Sequence, residues 1–226
     1  MQFLVAADTH GTLTEENIPQ EFLTENIDAV ILLGDVLQRD IDILKSKFKV
    51  PFFGVGGNHD TWDLMSKNGI HDLHARVIKW KNLIIAGFGG SLRYKETPDY
   101  MFFTEQEASD LLAQMPRCDI LLTHAAPKYK DEEQIEQYKK APQQEKESLF
   151  DKISSLFTKP TQNPYANHQQ DSSTPMYKGF YGIGEYIQKH HPTFVLHGHV
   201  HQSDTDWHGQ TCVRSFYGLE LFELDI

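Results

Sequence analysis

Five short segments of this chain end in side chains that bind divalent metals. They are Asp8-Thr9-His10-Gly11, Gly34-Asp35, Gly57-Asn58-His59-Asp60, Thr123-His124, and the pair His197 and His199 around Gly198. Carboxylate, imidazole and carboxamide groups supply hard oxygen and borderline nitrogen donors. Gly-Asp or Thr-His alone carries little weight, but five such segments together describe a site for two divalent ions. Gly11, Gly34, Gly57, Gly89 and Gly90 stand beside or between them, where tight turns and close backbone approach are needed.

The elements that must position these groups are legible upstream of each one. Phe3-Leu4-Val5 precedes Asp8, residues 29–33 precede Asp35, and residues 51–55 precede Asn58. Ile120-Leu121-Leu122 precedes His124 and Phe194-Val195-Leu196 precedes His197. Such apolar, β-branched runs predict buried strands, and residues just past neighbouring strand ends converge on one rim of a sheet. Between the runs the pattern predicts a helix over 14–26 capped by Thr14, a second over 36–47, and a helical turn over 61–66. A β-hairpin is expected over 75–80 and 83–88, joined by Lys81-Asn82. Thr104 and Glu107 form a capping box for a helix to 115. A helix over 175–190, a hairpin over 204–213 turning at His208-Gly209, and a strand over 219–225 follow. Alternating strands and helices, then a run of β, predict a mixed sheet with helices on its faces.

Composition bounds the rest. At 226 residues, 39% hydrophobic and 23% charged, the chain reads as one domain, 1–226, of ordinary globular character. No apolar run reaches membrane-span length, and no basic region, apolar stretch and cleavage site precede the first strand. Two cysteines, Cys118 and Cys212, are too few for a disulfide framework and suit a reducing, cytoplasmic compartment. The formal net charge of −11 argues against long duplex nucleic acid as a partner and fits a site that attracts cations, and without a long apolar run no membrane partner is expected. Small phosphoesters or phosphorylated surfaces are the expected substrates; oligomeric state is not readable. Residues 128–175 are rich in Gln, Lys, Glu, Asp and Pro. They read as an insertion between two ligand strands, either a lid or a disordered excursion.

The five segments, in this order and each after a strand, resemble the calcineurin-like metallophosphoesterase superfamily, in its small single-domain branch. The resemblance runs from Asp8 to His201. It implies an α/β (α+β) fold in which two mixed β-sheets pack as a sandwich flanked by helices. It implies further that Asp35 bridges two metals, with Asp8, His10 and His199 completing one and Asn58, His124 and His197 the other. The mixed donor set suits manganese, iron, zinc or cobalt. By the same resemblance His59 is the general acid, and the nucleophile is a hydroxide bridging the two ions, so that His59 and Asp35 carry the catalysis. His201 has two open readings, supporting a ligand or facing solvent, and His71, His74, His168, His190, His191 and His208 are expected at the surface.

The sequence departs from one branch of that superfamily. Protein Ser/Thr phosphatases resemble Gly-Asp-x-x-Asp-Arg-Gly after the second strand. Here Gln38 replaces the second Asp and Asp40 the final Gly, with Arg39 where their phosphate-binding Arg falls. Arg39 therefore reads as a phosphate contact or a surface helix residue. Arg93 and Tyr94, with Lys95, lie on a loop that either reaches an anionic substrate or is merely solvated. The expected activity is phosphodiester hydrolysis, ahead of phosphomonoesterase or protein phosphatase action, with a non-catalytic metal-binding scaffold as the remote alternative.

Overall fold

The computed structural model describes residues 1–95, 97–129 and 179–224. Its first sheet joins β1 (Gln2–Ala7), β2 (Ala29–Leu32), β3 (Phe52–Gly54) and β4 (His71–Asp72) in parallel, with β13 (Gly218–Glu223) antiparallel on the outer edge of β1. The second sheet runs in the order β11 (Asp204–His208), β12 (Thr211–Ser215), β10 (Phe194–His197), β9 (Ile120–Thr123), β6 (Leu83–Phe88), β5 (Arg76–Trp80). Its four inner strands are parallel, and the hairpin partners β11 and β5 close the edges antiparallel. A short parallel ladder of β7 (Ser91–Leu92) and β8 (Phe102–Phe103) lies outside both sheets.

The continuous apolar runs are explained by burial on both faces. In β1, Phe3, Val5 and Ala7 enter the core between the sheets, whereas Leu4 and Ala6 face an outer layer. The same alternation divides Ile31 from Val30, Ile120 and Leu122 from Leu121, and Phe194 and Leu196 from Val195. Helices α1 (Gln20–Thr24), α2 (Gln38–Lys47) and α3 (Leu64–Lys67) cover the outer face of the first sheet through Phe22, Ile41, Leu44 and Met65. Helices α4 (Glu105–Gln114) and α5 (Tyr181–His190) cover the second through Ala108, Leu112, Ile183 and Ile187. The expected sandwich of two mixed sheets flanked by helices is what forms.

Strand register then fixes the rim. Ala6 pairs with Leu32 and Leu32 with Gly54, so the chain leaves β1, β2 and β3 at nearly the same level. Thr123 pairs with both Phe88 and His197, which levels the second sheet in the same way.

Two expected helices are shorter than the pattern predicted. Thr14 does cap, in a box with Asn17, but it opens only a 3-10 turn over Glu15–Asn17. Pro19 cannot donate to a continuing helix, so the chain restarts at Gln20. Val36 and Leu37 stay outside α2, because the turn after Asp35 leaves Leu37 extended at ψ 163°. The Thr104–Glu107 capping box and the first hairpin form as expected, and the second hairpin forms with its turn at Gly209-Gln210, one residue later than expected, and its return strand reaching Ser215. The predicted insertion lies outside the described residues from 130 onward, as do residues 175–178 ahead of α5. Among the described residues no helix is long and apolar enough to cross a membrane.

Candidate metal centre

At the carboxyl ends of β1, β2, β3, β9 and β10 the loops turn sharply. Asp8, His10, Asp35, His199 and His201 all adopt positive φ, between 48° and 71°. Non-glycine residues occupy that region at a cost and tend to cluster where function requires it. The surrounding structure holds them there. Asp8 donates its backbone N–H to the Gly34 carbonyl, and His10 donates to that of Asp35, both at 3.0 Å. Gly198 donates to the His124 carbonyl at 3.1 Å, tying the β9 and β10 loops together.

The donor atoms fall into two groups that share the Asp8 carboxylate. The ligand atoms of Asp8, His10 and His201 lie within 4.8 Å of one another, as do those of Asp8, Asp35 and His124. Asp35 stands between them. Its Oδ2 is 3.8 Å from His10 Nε2 and 3.6 Å from His124 Nε2, while its Oδ1 accepts the His59 backbone N–H at 2.8 Å. Asp8 Oδ2 accepts the His199 N–H at 2.7 Å, and its Oδ1, buried with no hydrogen-bond partner among the described residues, lies 3.6 Å from His201 Nε2. His201 Nε2 is also 3.3 Å from His10 Nε2. On the other side, His124 and His199 pack ring to ring with centroids 4.7 Å apart.

The donors are suited to cations. His124 Nδ1 donates to the Leu33 carbonyl at 2.7 Å, which fixes the tautomer and leaves Nε2 a bare lone pair. That lone pair lies 3.0 Å from Asn58 Oδ1, so an imidazole nitrogen and a carboxamide oxygen are presented together, as donors to one cation would be. Burial holds His124 neutral, down to about 3, and lowers His10 as well. Neutral imidazole is the metal-binding form. Burial first, then the charge of Asp35, pushes Asp8 well above the ordinary carboxylate range. The crowding of buried carboxylates is the electrostatic condition that a divalent cation relieves. The donor set therefore fits two ions.

Placement differs from expectation at the last segment. His201, not His199, stands with Asp8 and His10, and His199 stands with His124. His197 is the last residue of β10, its Nδ1 donating to the Gly198 carbonyl at 2.9 Å. By strand alternation it shares the side of Val195, whose packing is with the outer helices. His59 is exposed, with its ring edge-on to His10 at 5.3 Å. Arg39 is exposed and its guanidinium donates to the Leu13 carbonyl at 3.3 Å. Arg93 is paired with Glu107 at 3.1 Å, and Tyr94 packs edge-on to Phe102.

Two carboxylates that sequence reasoning passed over organise the backbone of the centre. Asp60 Oδ2 accepts the N–H groups of Asp35 and Gly57, each at 2.8 Å, and burial followed by the Asp35 charge lifts its carboxyl to about 8. Asp40, fully buried, accepts from Thr9 Oγ1, Gly11 N and Leu13 N, holding the loop that carries His10. The sequence signal was available: each is an Asp immediately beside a matched segment. His74, expected at the surface, is instead half-buried, stacked on Phe103 and accepting from Gly89 N at Nδ1.

The fold has clear relatives among solved structures. Protein TT1561 of Thermus thermophilus superposes with a TM-score of 0.60 at 16% identity, covering 98% of this chain and 97% of that one. A candidate 5′-nucleotidase from Staphylococcus aureus gives 0.55 at 14% identity, over 99% of this chain and 51% of its own. The phosphopantetheinyl hydrolase of Mycobacterium tuberculosis gives 0.50 at 12%, over 96% and 89%. No curated protein sequence matches the chain. The calcineurin-like phosphoesterase family model spans residues 1–203, from the first strand past the last histidine of the cluster, and the chain belongs to that family of phosphoester hydrolases.

Proposed function

We propose that this chain hydrolyses small phosphodiesters at a dinuclear metal centre. Asp8, His10, Asp35 and His201 would hold one ion, and Asp35, Asn58, His124 and His199 the other. This assignment takes His201 in place of His199 for the first ion and His199 in place of His197 for the second. The observation that carries it is the position of Asp35 Oδ2, within 3.8 Å of an imidazole nitrogen from each group. When bound, the two ions would supply charge neutralisation and an activated water for in-line attack at phosphorus. Manganese, iron, zinc and cobalt all suit the donors.

The chain's own residues do the rest. Asp60 and Asp40 hold the two loops that present Asp35 and His10. His59, exposed and with its backbone N–H bonded to Asp35, would donate a proton to the departing alkoxide. The preference for a diester rests on charge. A monoester brings two negative charges and a diester one, and Arg39 and Arg93 are committed to Leu13 and Glu107 rather than turned to a phosphate. The structural neighbours share 12–16% identity and so support the fold, not a substrate.

The test is metal content and turnover of Asp35→Asn beside the unaltered protein, on aryl monoester, aryl diester, cyclic nucleotide, dinucleotide and phosphopeptide with Mn²⁺. Loss of both ions and of all turnover is expected, with the aryl diester the better substrate of the unaltered protein. Retention of two ions with near-normal rates refutes the dinuclear assignment.

A further inference from the structure

Trp62 is 46% exposed, more than any other large apolar side chain among the described residues. It follows His59 by three positions, a reach of at most about 10 Å along the chain. It is not a loose surface residue. Its indole N–H donates to the Pro98 carbonyl at 3.2 Å, and its ring stands edge-on to both His74 and Phe103 at 5.7 Å. Those two rings are nearly parallel and stacked, and His74 is fixed in turn by the Gly89 N–H. Thr61 bridges to Tyr100, and Gly90 donates to the Gly56 carbonyl at 2.8 Å, so this wall is fastened to the segment that carries Asn58 and His59. With its single donor spent inside the protein, the exposed part of Trp62 offers only π surface. A partner must therefore be recognised by stacking rather than by hydrogen bonds.

We infer that Trp62 is the platform on which the leaving half of the substrate stacks, and that this half carries a planar heteroaromatic ring of the nucleobase class. The inference rests on the phosphoesterase reading and extends it to substrate class. A pre-oriented indole costs little entropy to engage, and its neighbour His59 is the group that would face the departing oxygen. Stacking of one base on one aromatic side chain is worth roughly 5- to 100-fold in affinity.

The experiment is calorimetric binding to the Mn²⁺-loaded protein of two phosphonates that resist hydrolysis, one of adenosine and one of ribose. The adenosine compound is expected to bind roughly 5- to 100-fold tighter. Trp62→Ala should bring that ratio close to one while leaving ribose phosphonate affinity unchanged, which shows the centre intact. Trp62→Phe, which keeps a ring against His74 and Phe103, should retain most of the ratio. Equal affinities in the unaltered protein, a ratio that survives Trp62→Ala, or binding of neither compound would each overturn the inference. Turnover of the ester panel decides the phosphoesterase reading separately, because the binding ratio makes no use of it.

Discussion

Replacing Gly57 by alanine tests the centre without touching a donor atom. A Cβ at that position would sit 2.1 Å from Asp35 Oδ1, 2.5 Å from Asp35 N and 2.7 Å from Asp35 Cγ, where ordinary contact begins at 3.4 Å. The carboxylate must therefore retreat by 3.4 − 2.1 = 1.3 Å, and the Asp35 amide cannot rotate aside because it already donates to Asp60. The retreat also breaks the 2.8 Å bond from His59 N to Asp35 Oδ1. Overpacking costs about 1–3 kcal/mol and a lost hydrogen bond about 0.5–1.5, so the fold should be weakened by roughly 2–4 kcal/mol.

The larger effect is on chemistry. A misplacement of about 1 Å at a reacting centre lowers rate by roughly 10²-fold, and here the displaced group is the proposed bridge. Gly57→Ala should bind less than two equivalents of Mn²⁺ by elemental analysis, with aryl diester turnover down at least about 100-fold. Gly69→Ala is the control: at φ +64° an added side chain strains the backbone, but among the described residues nothing lies within 4 Å of the added methyl. It should lose stability and keep both ions. Two bound ions and unchanged turnover in Gly57→Ala would refute the placement of Asp35.

His201→Ala should lose metal and activity, whereas His197→Ala should keep both ions by elemental analysis; the opposite result would restore the pairing expected from sequence. His59→Gln should keep the metals and slow turnover by roughly 10²–10⁴-fold, with the deficit shrinking as the leaving group becomes more acidic; equal losses across leaving groups would remove the proton-donor role. Without metal, burial lifts folded Asp60 to about 8, above roughly 3.9 unfolded, and lowers His124 and His197 to about 3 and 4, below roughly 6.5. Asp8 is raised in the same sense as Asp60, and His10 and His74 are lowered like the other imidazoles, so the histidines outnumber the carboxyls. Stability is then lost both as pH rises from 6.5 toward 8 and as it falls from 6.5 toward 4, so melting in chelator should peak near pH 6.5; a steady climb to pH 8 would contradict it.

The strands were legible because burial on both faces leaves no room for polar residues, so the runs before Asp8, Asp35 and His124 are apolar throughout. Capping was legible where the cap is local, as at Thr104 and Glu107. What the pattern missed was non-local. Nothing near Pro19 in sequence shows whether a helix will bend through it or restart, and here it restarts. Asp40 reads as a departure from one motif and Asp60 as the end of another. Their roles appear only when loops 25 to 31 positions away bring their amide and hydroxyl donors to them.

The last segment shows why the presence of donor residues was more legible than their placement. His197, His199 and His201 are spaced by two, and in an extended strand all three would point to one side. The strand ends at His197, however, and the left-handed backbone at His199 and again at His201 breaks that alternation. His199 is turned toward His124, and His201 is carried over to Asp8 and His10, where Tyr217 lies flat against its ring at 5.1 Å. Neither turn is written into residues 197–201 alone. Gly198 allows the close approach, since a Cβ there would come within 2.7 Å of Asp8 Oδ2. The Asp8 carboxylate, in accepting the His199 N–H, holds the turn that delivers one imidazole to His124 and the next to Asp8 and His10. The geometry of the centre is thus a property of the assembled rim, in which one candidate ligand shapes the backbone that places the others.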